Sequence, residues 1–200
     1  GMQARLYRNS NQPNQKVIIY AHGGGFVYYN IDSHDYVTRR LCAMNNCMVI
    51  SIDYRLATGL GALDMQDSTK AYPHVMRALS DAKAAIRYFR KDAATNNNVY
   101  KIDVNNFYLV GQGTGGYIAL NYAVLNSPSE ITLPKFISST DAPTYGIYAG
   151  QPYVNQTALG DFDGIGGVAP YNNENNPGYS NAVQFVVNLG GAMGDSSWIA

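Results

Sequence analysis

The sequence predicts an α/β fold with a mostly parallel sheet and flanking helices. Three observations carry that reading: short apolar runs bounded by turn residues, amphipathic helical stretches alternating with them, and no two-residue hairpin signal joining one run to the next. "KVIIYA" at 16–21 is apolar throughout after Lys16, as a strand buried on both faces must be, and it ends at "HGGGF". "DSHDYVTRRLCAMNN" places Asp and Ser at a helix start and apolar residues at helical spacing, and "CMVISIDY" at 47–54 is a second buried strand. In "YPHVMRALSDAKAAIRYFRKDA" the residues Val75, Leu79, Ala82, Ala85, Ile86 and Phe89 share one helical face, with Pro73 near the start. "NFYLV" at 106–110 and "NAVQFVVNLG" at 181–190 complete four strands, with a helix after the third. Between Ala142 and Asn181 the pattern gives way to Gly, Asn, Pro and Tyr. The reading treats 1–200 as one domain with 142–181 as an irregular insertion over the site, or a surface excursion with no role in binding.

Fourteen basic and fourteen acidic side chains leave no net charge to attract nucleic acid or an anionic membrane. Charged residues make up 14% of the chain, below the roughly 25% usual in soluble domains, while 17 Tyr and 20 Gly supply much of the rest. Such surfaces suit neutral ligands, sugars or aromatics among them. No apolar run reaches the ~18 residues of a membrane span. Gly1-Met2 reads as an expression scar, and the expected location is secreted or periplasmic. Cys42 and Cys47 have no metal-site companions; they form a local disulfide or two buried thiols, and neither is assigned a catalytic role.

"NNFYLVGQGTGGYIALNYAVL" joins a strand to a helix through a knot of glycines that has two readings. As Gly111-x-Gly113-x-x-Gly116 it matches a dinucleotide-binding fingerprint, which needs an acid ending the next strand about 20 residues on. Glu130 stands at that distance but precedes the apolar stretch "ITLPKFI", and a strand-helix-strand-helix already lies upstream of the knot. As G-x-S-x-G the same residues form a nucleophile elbow with Gly113 where the serine would be.

The second reading gathers support from the rest of the chain. "VIIYAHGGGFVYYN", "VISIDYRLA", "DAKAAIRYFR", "FYLVGQGTGGYIAL" and "AVQFVVNLGGAMGDSSWI", in this order, resemble the hormone-sensitive-lipase-like and feruloyl-esterase-like carboxylesterases of the α/β-hydrolase superfamily. The resemblance implies a small-molecule ester or glycan-derived ligand, with no cofactor and no metal. It also implies an oxyanion hole formed by the backbone N–H groups of Gly24, Gly25 and Thr114. Gly111, Gln112, Gly115 and Gly116 belong to the elbow, the last two for close helix-to-strand packing; the bare alternative for these glycines is a tight turn without a ligand. Asp53, Tyr54, Arg55 and Asp81 are read as scaffold.

Ester hydrolysis by this machinery needs a nucleophile, an imidazole and a carboxylate that orients it. Gly113 has no side chain, and Thr114 is one position away from the one the elbow aims at substrate. Chain order in the family is nucleophile, acid, histidine, whereas His22, His34 and His74 all precede Gly113. His22 is read as a structural hydrogen-bonder, and His34 and His74 as capping or surface residues. Among the later acids, Asp195 is a turn residue. The resemblance places the family's acid and histidine after two further strands, beyond Ala200, so the sheet is expected to lack its C-terminal strands and to expose an edge open to self-association. The chain is therefore expected to be inactive or severely impaired. The alternatives are a competent secreted hydrolase whose serine was mutated and whose Asp and His lie outside this sequence, and a dinucleotide-binding protein.

Overall fold

A computed structural model of the chain describes residues 2–57, 68–141, 143, 148–161, 163–169, 171–173 and 176–199. Its main elements are β1 (Gln3–Tyr7), β2 (Gln15–Ala21), α1 (Asp35–Asn45), β3 (Met48–Asp53), α2 (Ser68–Thr95), β4 (Ile102–Gln112), α3 (Thr114–Val124) and β5 (Phe185–Leu189). The sheet order is β1-β3-β2-β4-β5. The last four are mutually parallel, with Ile19 opposite Ile50 on one side and Leu109 on the other, and Leu109 opposite Val186.

The four expected strands are present, and β4 starts earlier than its apolar core, at Ile102. The fifth, β1, pairs antiparallel with β3 and carries no apolar run to mark it in the sequence. "QARLY" buries only Tyr7 fully, because an edge strand is covered on one side at most.

Both faces of β2 are covered, which is why its sequence does not alternate. Val17 and Ile19 point to α2 and α3, packing with Ile50, Ile52, Leu79, Ile86, Leu109 and Ile118. Ile18 and Tyr20 point the other way, toward Cys42 of α1 and Val49 and Val110 of the neighbouring strands. This double burial fixes the register of the strand ends, and the candidate site lies at their carboxyl ends.

Two histidine expectations are corrected. Helix α2 begins at Ser68, so Pro73 lies inside it and His74 falls on the face of Ala78, Asp81 and Ala85, all buried; His74 is core, neither cap nor surface. His34 precedes α1 without making a side-chain cap bond and is buried against Tyr20 and His22. Burial, reinforced by His22, lowers its pKa.

The described part of the irregular stretch packs along α2. Lys83 donates to the Asp163 carboxylate at 2.9 Å, Arg87 to the Asp163 carbonyl at 2.8 Å and Arg90 to the Ser180 carbonyl at 2.8 Å. Lys83 is thereby buried with its charge paired, and Arg87 is buried with Nη1 bonded to the Asp163 carbonyl. At the far end, β5 forms the last strand among the described residues, with Phe185 and Leu189 about half exposed.

Cys42 and Cys47 are free thiols, and Cys42 Sγ donates to the Cys47 carbonyl at 3.1 Å. Burial raises both pKa values, that of Cys47 to about 11. Thiolate is the reactive form, so Ellman titration of the native chain at pH 8 is expected to be slow at both positions and fast in denaturant. A denatured chain that yields no thiol would show a disulfide instead.

Candidate active site

Strand β4 ends at Gln112 and α3 starts at Thr114, which leaves Gly113 alone to reverse the chain. It does so at φ 57°, ψ −119°, a conformation that residues with a side chain rarely adopt. Its N–H donates to the Leu189 carbonyl at 2.9 Å, and its carbonyl accepts from Tyr117 N–H at 3.2 Å, so the turn is tied to β5 and to α3. Tyr20 donates to Gln112 Oε1 at 2.8 Å, pinning the preceding residue.

A Cβ built on Gly113 would lie 3.6 Å from Gly23 Cα, an ordinary van der Waals contact. There is thus room for a side chain, and the cost of adding one is backbone strain. Gly113→Ala is expected to destabilise by about 1–2 kcal/mol, a fall of several degrees in melting temperature by calorimetry. An unchanged melting temperature would show that the turn relaxes.

Its neighbours are constrained by contact. A Cβ on Gly115 would sit 1.9 Å from the Ala21 carbonyl oxygen, one on Gly111 1.9 Å from the Gly115 carbonyl, and one on Gly116 2.7 Å from Gly191 N. These glycines let α3 lie directly against the ends of β2 and β4 and against the chain leaving β5.

From the "HGGG" loop it is Gly23 that touches the elbow: its Cβ would meet the Gln112 carbonyl at 3.1 Å and Gly113 Cα at 3.9 Å. Gly24 and Gly25 follow at about 3.8 Å per residue. The Gly24 carbonyl accepts from Val27 N–H at 3.1 Å and Tyr28 N–H at 2.8 Å, closing the loop into a turn. Among the described residues no backbone acceptor meets the N–H of Gly24, Gly25 or Thr114.

Tyr54, read from the sequence as scaffold, links the two halves of the site. Its hydroxyl donates to the His22 carbonyl at 2.7 Å and lies 3.4 Å from Thr114 Oγ1, while its ring stacks on His22 with centroids 4.5 Å apart. Burial pushes the phenol up to about 12, so it remains a proton donor at neutral pH. The available signal is positional: His22 and Tyr54 follow the ends of adjacent parallel strands.

The His22 ring is fully buried, with Nδ1 2.6 Å from the Gly23 carbonyl and Nε2 3.5 Å from Asp53 Oδ1. The Nδ1 contact ties the ring to the loop, while Nε2 faces the Asp53 carboxylate without a hydrogen bond. Asp81 receives the Arg55 N–H at 2.8 Å and its Nε at 2.9 Å, which fixes the chain just beyond β3. Asp195 caps the short turn Ser196–Trp198 by accepting from Ser197 N–H at 2.8 Å, and Lys135 holds its pKa down at about 2. Glu130 accepts from Ser127 N–H at 3.0 Å in a capping box. Among the described residues no group of three metal-ligating side chains comes together.

The family model for the alpha/beta hydrolase fold matches residues 18–145, which contain both the "HGGG" loop and the elbow. The chain belongs to this family. Acetyl esterases of Salmonella schwarzengrund and Salmonella choleraesuis are each 31% identical to it over 163 residues, 80% of this chain and 44% of theirs. The chain spans less than half the length of these curated relatives. Among solved structures, an ester hydrolase from the metagenome of Lake Arreo is 32% identical, with a TM-score of 0.45, covering 60% of this chain and 33% of that one. No helix among the described residues is long and apolar enough to cross a membrane.

Proposed function

We propose that this α/β-hydrolase chain binds a small carboxylic ester at the elbow and does not turn it over at an enzymatic rate. The observation that carries this reading is Gly113 at φ 57°, ψ −119°, at the apex where the family's elbow aims a serine. The curated relatives named above are acetyl esterases, which favours a short acyl group.

The chemistry divides into a part this chain retains and a part it lacks. Backbone N–H groups of Gly24, Gly25 and Thr114 polarise the ester carbonyl and would stabilise negative charge developing on its oxygen. No atom on Gly113 attacks the carbonyl carbon, so no acyl-enzyme forms. The Thr114 hydroxyl does not replace it, since it is turned toward Tyr54.

With 4-nitrophenyl acetate the chain is expected to release nitrophenolate at the rate of the blank, while the intact ester shows saturation transfer from the protein by NMR. Turnover near ~10 s⁻¹, the median for enzymes, would overturn the proposal.

A further inference from the structure

The loop after β2 holds two aromatic residues in the left-handed region of backbone space, Phe26 at φ 59° and Tyr29 at φ 72°. Bulky side chains rarely adopt such angles, and among the described residues the other positions of positive φ belong to Gly or Asn, apart from Lys101. At Phe26 burial offsets the strain: the residue is 1% exposed, with its ring 6.0 Å from that of Tyr54 and 6.4 Å from that of Tyr117. Tyr29 lacks that compensation. It is 61% exposed, and its ring meets that of His34 edge-on at 5.8 Å. Glycine would make the same turn with less strain, so folding alone does not account for a tyrosine here. Strain that packing does not offset is a mark of ligand-binding positions.

Tyr29 also stands beside the elbow. A Cβ built on Gly24 would lie 3.2 Å from Tyr29 Cβ, and Gly24 N–H is one of the donors proposed above for the ester carbonyl. A ligand whose carbonyl oxygen sits about 3 Å from that donor therefore lies next to the tyrosine. Polar groups along the same loop are engaged with one another. Asn30 Oδ1 accepts from Asp32 N–H at 2.9 Å and Ser33 N–H at 3.2 Å, Ser33 Oγ donates to the Asn30 carbonyl at 2.6 Å, and Arg5 pairs with the Asp32 carboxylate. What Tyr29 adds to the site is ring surface.

We infer that Tyr29 selects the alcohol half of the ester, which carries an aromatic ring that packs on the tyrosine: the ligand is an aryl ester of a short acid. The short acyl group proposed above leaves the ring to the alcohol. Offset-stacked or edge-to-face contact between the two rings adds to the burial of the ligand's apolar surface. A sugar in the same place would meet hydrogen-bonding groups already used within the loop, and an alkyl alcohol would forgo the ring contact. The carbonyl half of this ligand rests on the ester-binding proposal, the ring half on Tyr29.

The test is NMR titration with phenyl acetate, ethyl acetate, a monoacetylated glucose and phenol. Phenyl acetate is expected to bind at least ~5-fold more tightly than either of the other esters, a ratio within the range of one aromatic pair. Tyr29→Gly should bring the esters level and weaken phenol, while melting at or above the temperature of the unaltered chain; Tyr29→Phe should keep the preference. Equal affinity for all the esters in the unaltered chain would overturn the inference and leave the ester-binding proposal standing. A Tyr29→Gly chain that kept the preference would overturn it too, as would one that melted several degrees lower, because the tyrosine would then serve the fold. Phenol binding that depends on Tyr29, with no ester bound, would sustain the ring site and remove the ester proposal. No binding of any of the four would overturn both.

Discussion

Gly115→Ala is expected to lower stability by at least about 3 kcal/mol, the upper range for overpacking, and the melting temperature by roughly 6–12 °C. The added methyl carbon would overlap the Ala21 carbonyl oxygen at 1.9 Å and approach the His22 carbonyl oxygen at 2.7 Å. Both obstacles are backbone, held by the sheet on one side and by Tyr54 on the other, so no side-chain rotation relieves them. To accept the methyl, α3 must lift from the end of β2, and with it the elbow must move away from the Gly23 loop. Calorimetry beside Gly113→Ala separates this clash from simple turn strain, because the Gly113 Cβ meets nothing closer than 3.6 Å. If the two variants melted together within a degree or two, close packing of α3 would not be what those glycines provide.

The sheet is legible in the sequence wherever burial is two-sided. β2 and β3 are continuous apolar runs because α1 covers one face and α2 and α3 the other, so that successive side chains, pointing to opposite faces, all meet apolar neighbours. β1 is hidden for the opposite reason: at the edge its residues are mostly exposed or half-exposed, and "QARLY" carries no apolar periodicity to read. The tight turn from β4 to α3 is legible from glycine spacing, since Gly111, Gly115 and Gly116 stand where backbone meets backbone. Tyr54 is not legible as part of the site. Its role comes from the adjacency of β2 and β3, a fact of strand order that no local window contains. The same holds for Lys83 and Arg87, whose burial depends on Asp163 about 80 residues later. His74 departs from its expected place because α2 begins one turn before Pro73, whereas a proline in a sequence ordinarily marks the first turn itself.

Gly113→Ser tests most directly whether the site is an oxyanion-binding elbow that lacks its reacting groups. The serine has room, with its Cβ 3.6 Å from Gly23 Cα, and it accepts the strain of φ 57°. A hydroxyl alone is a poor nucleophile, however. The chain's three histidines are buried, and the His22 ring lies against the Gly23 carbonyl and stacks on Tyr54, so none is presented to take the serine proton. Measured with 4-nitrophenyl acetate at pH 8, Gly113→Ser in this chain is expected to show at most an acceleration of order 10³ over water, from oxyanion donors and positioning alone. Turnover of ~10 s⁻¹ or more by the same variant would contradict this, because a base would then have to exist among His22, His34 and His74.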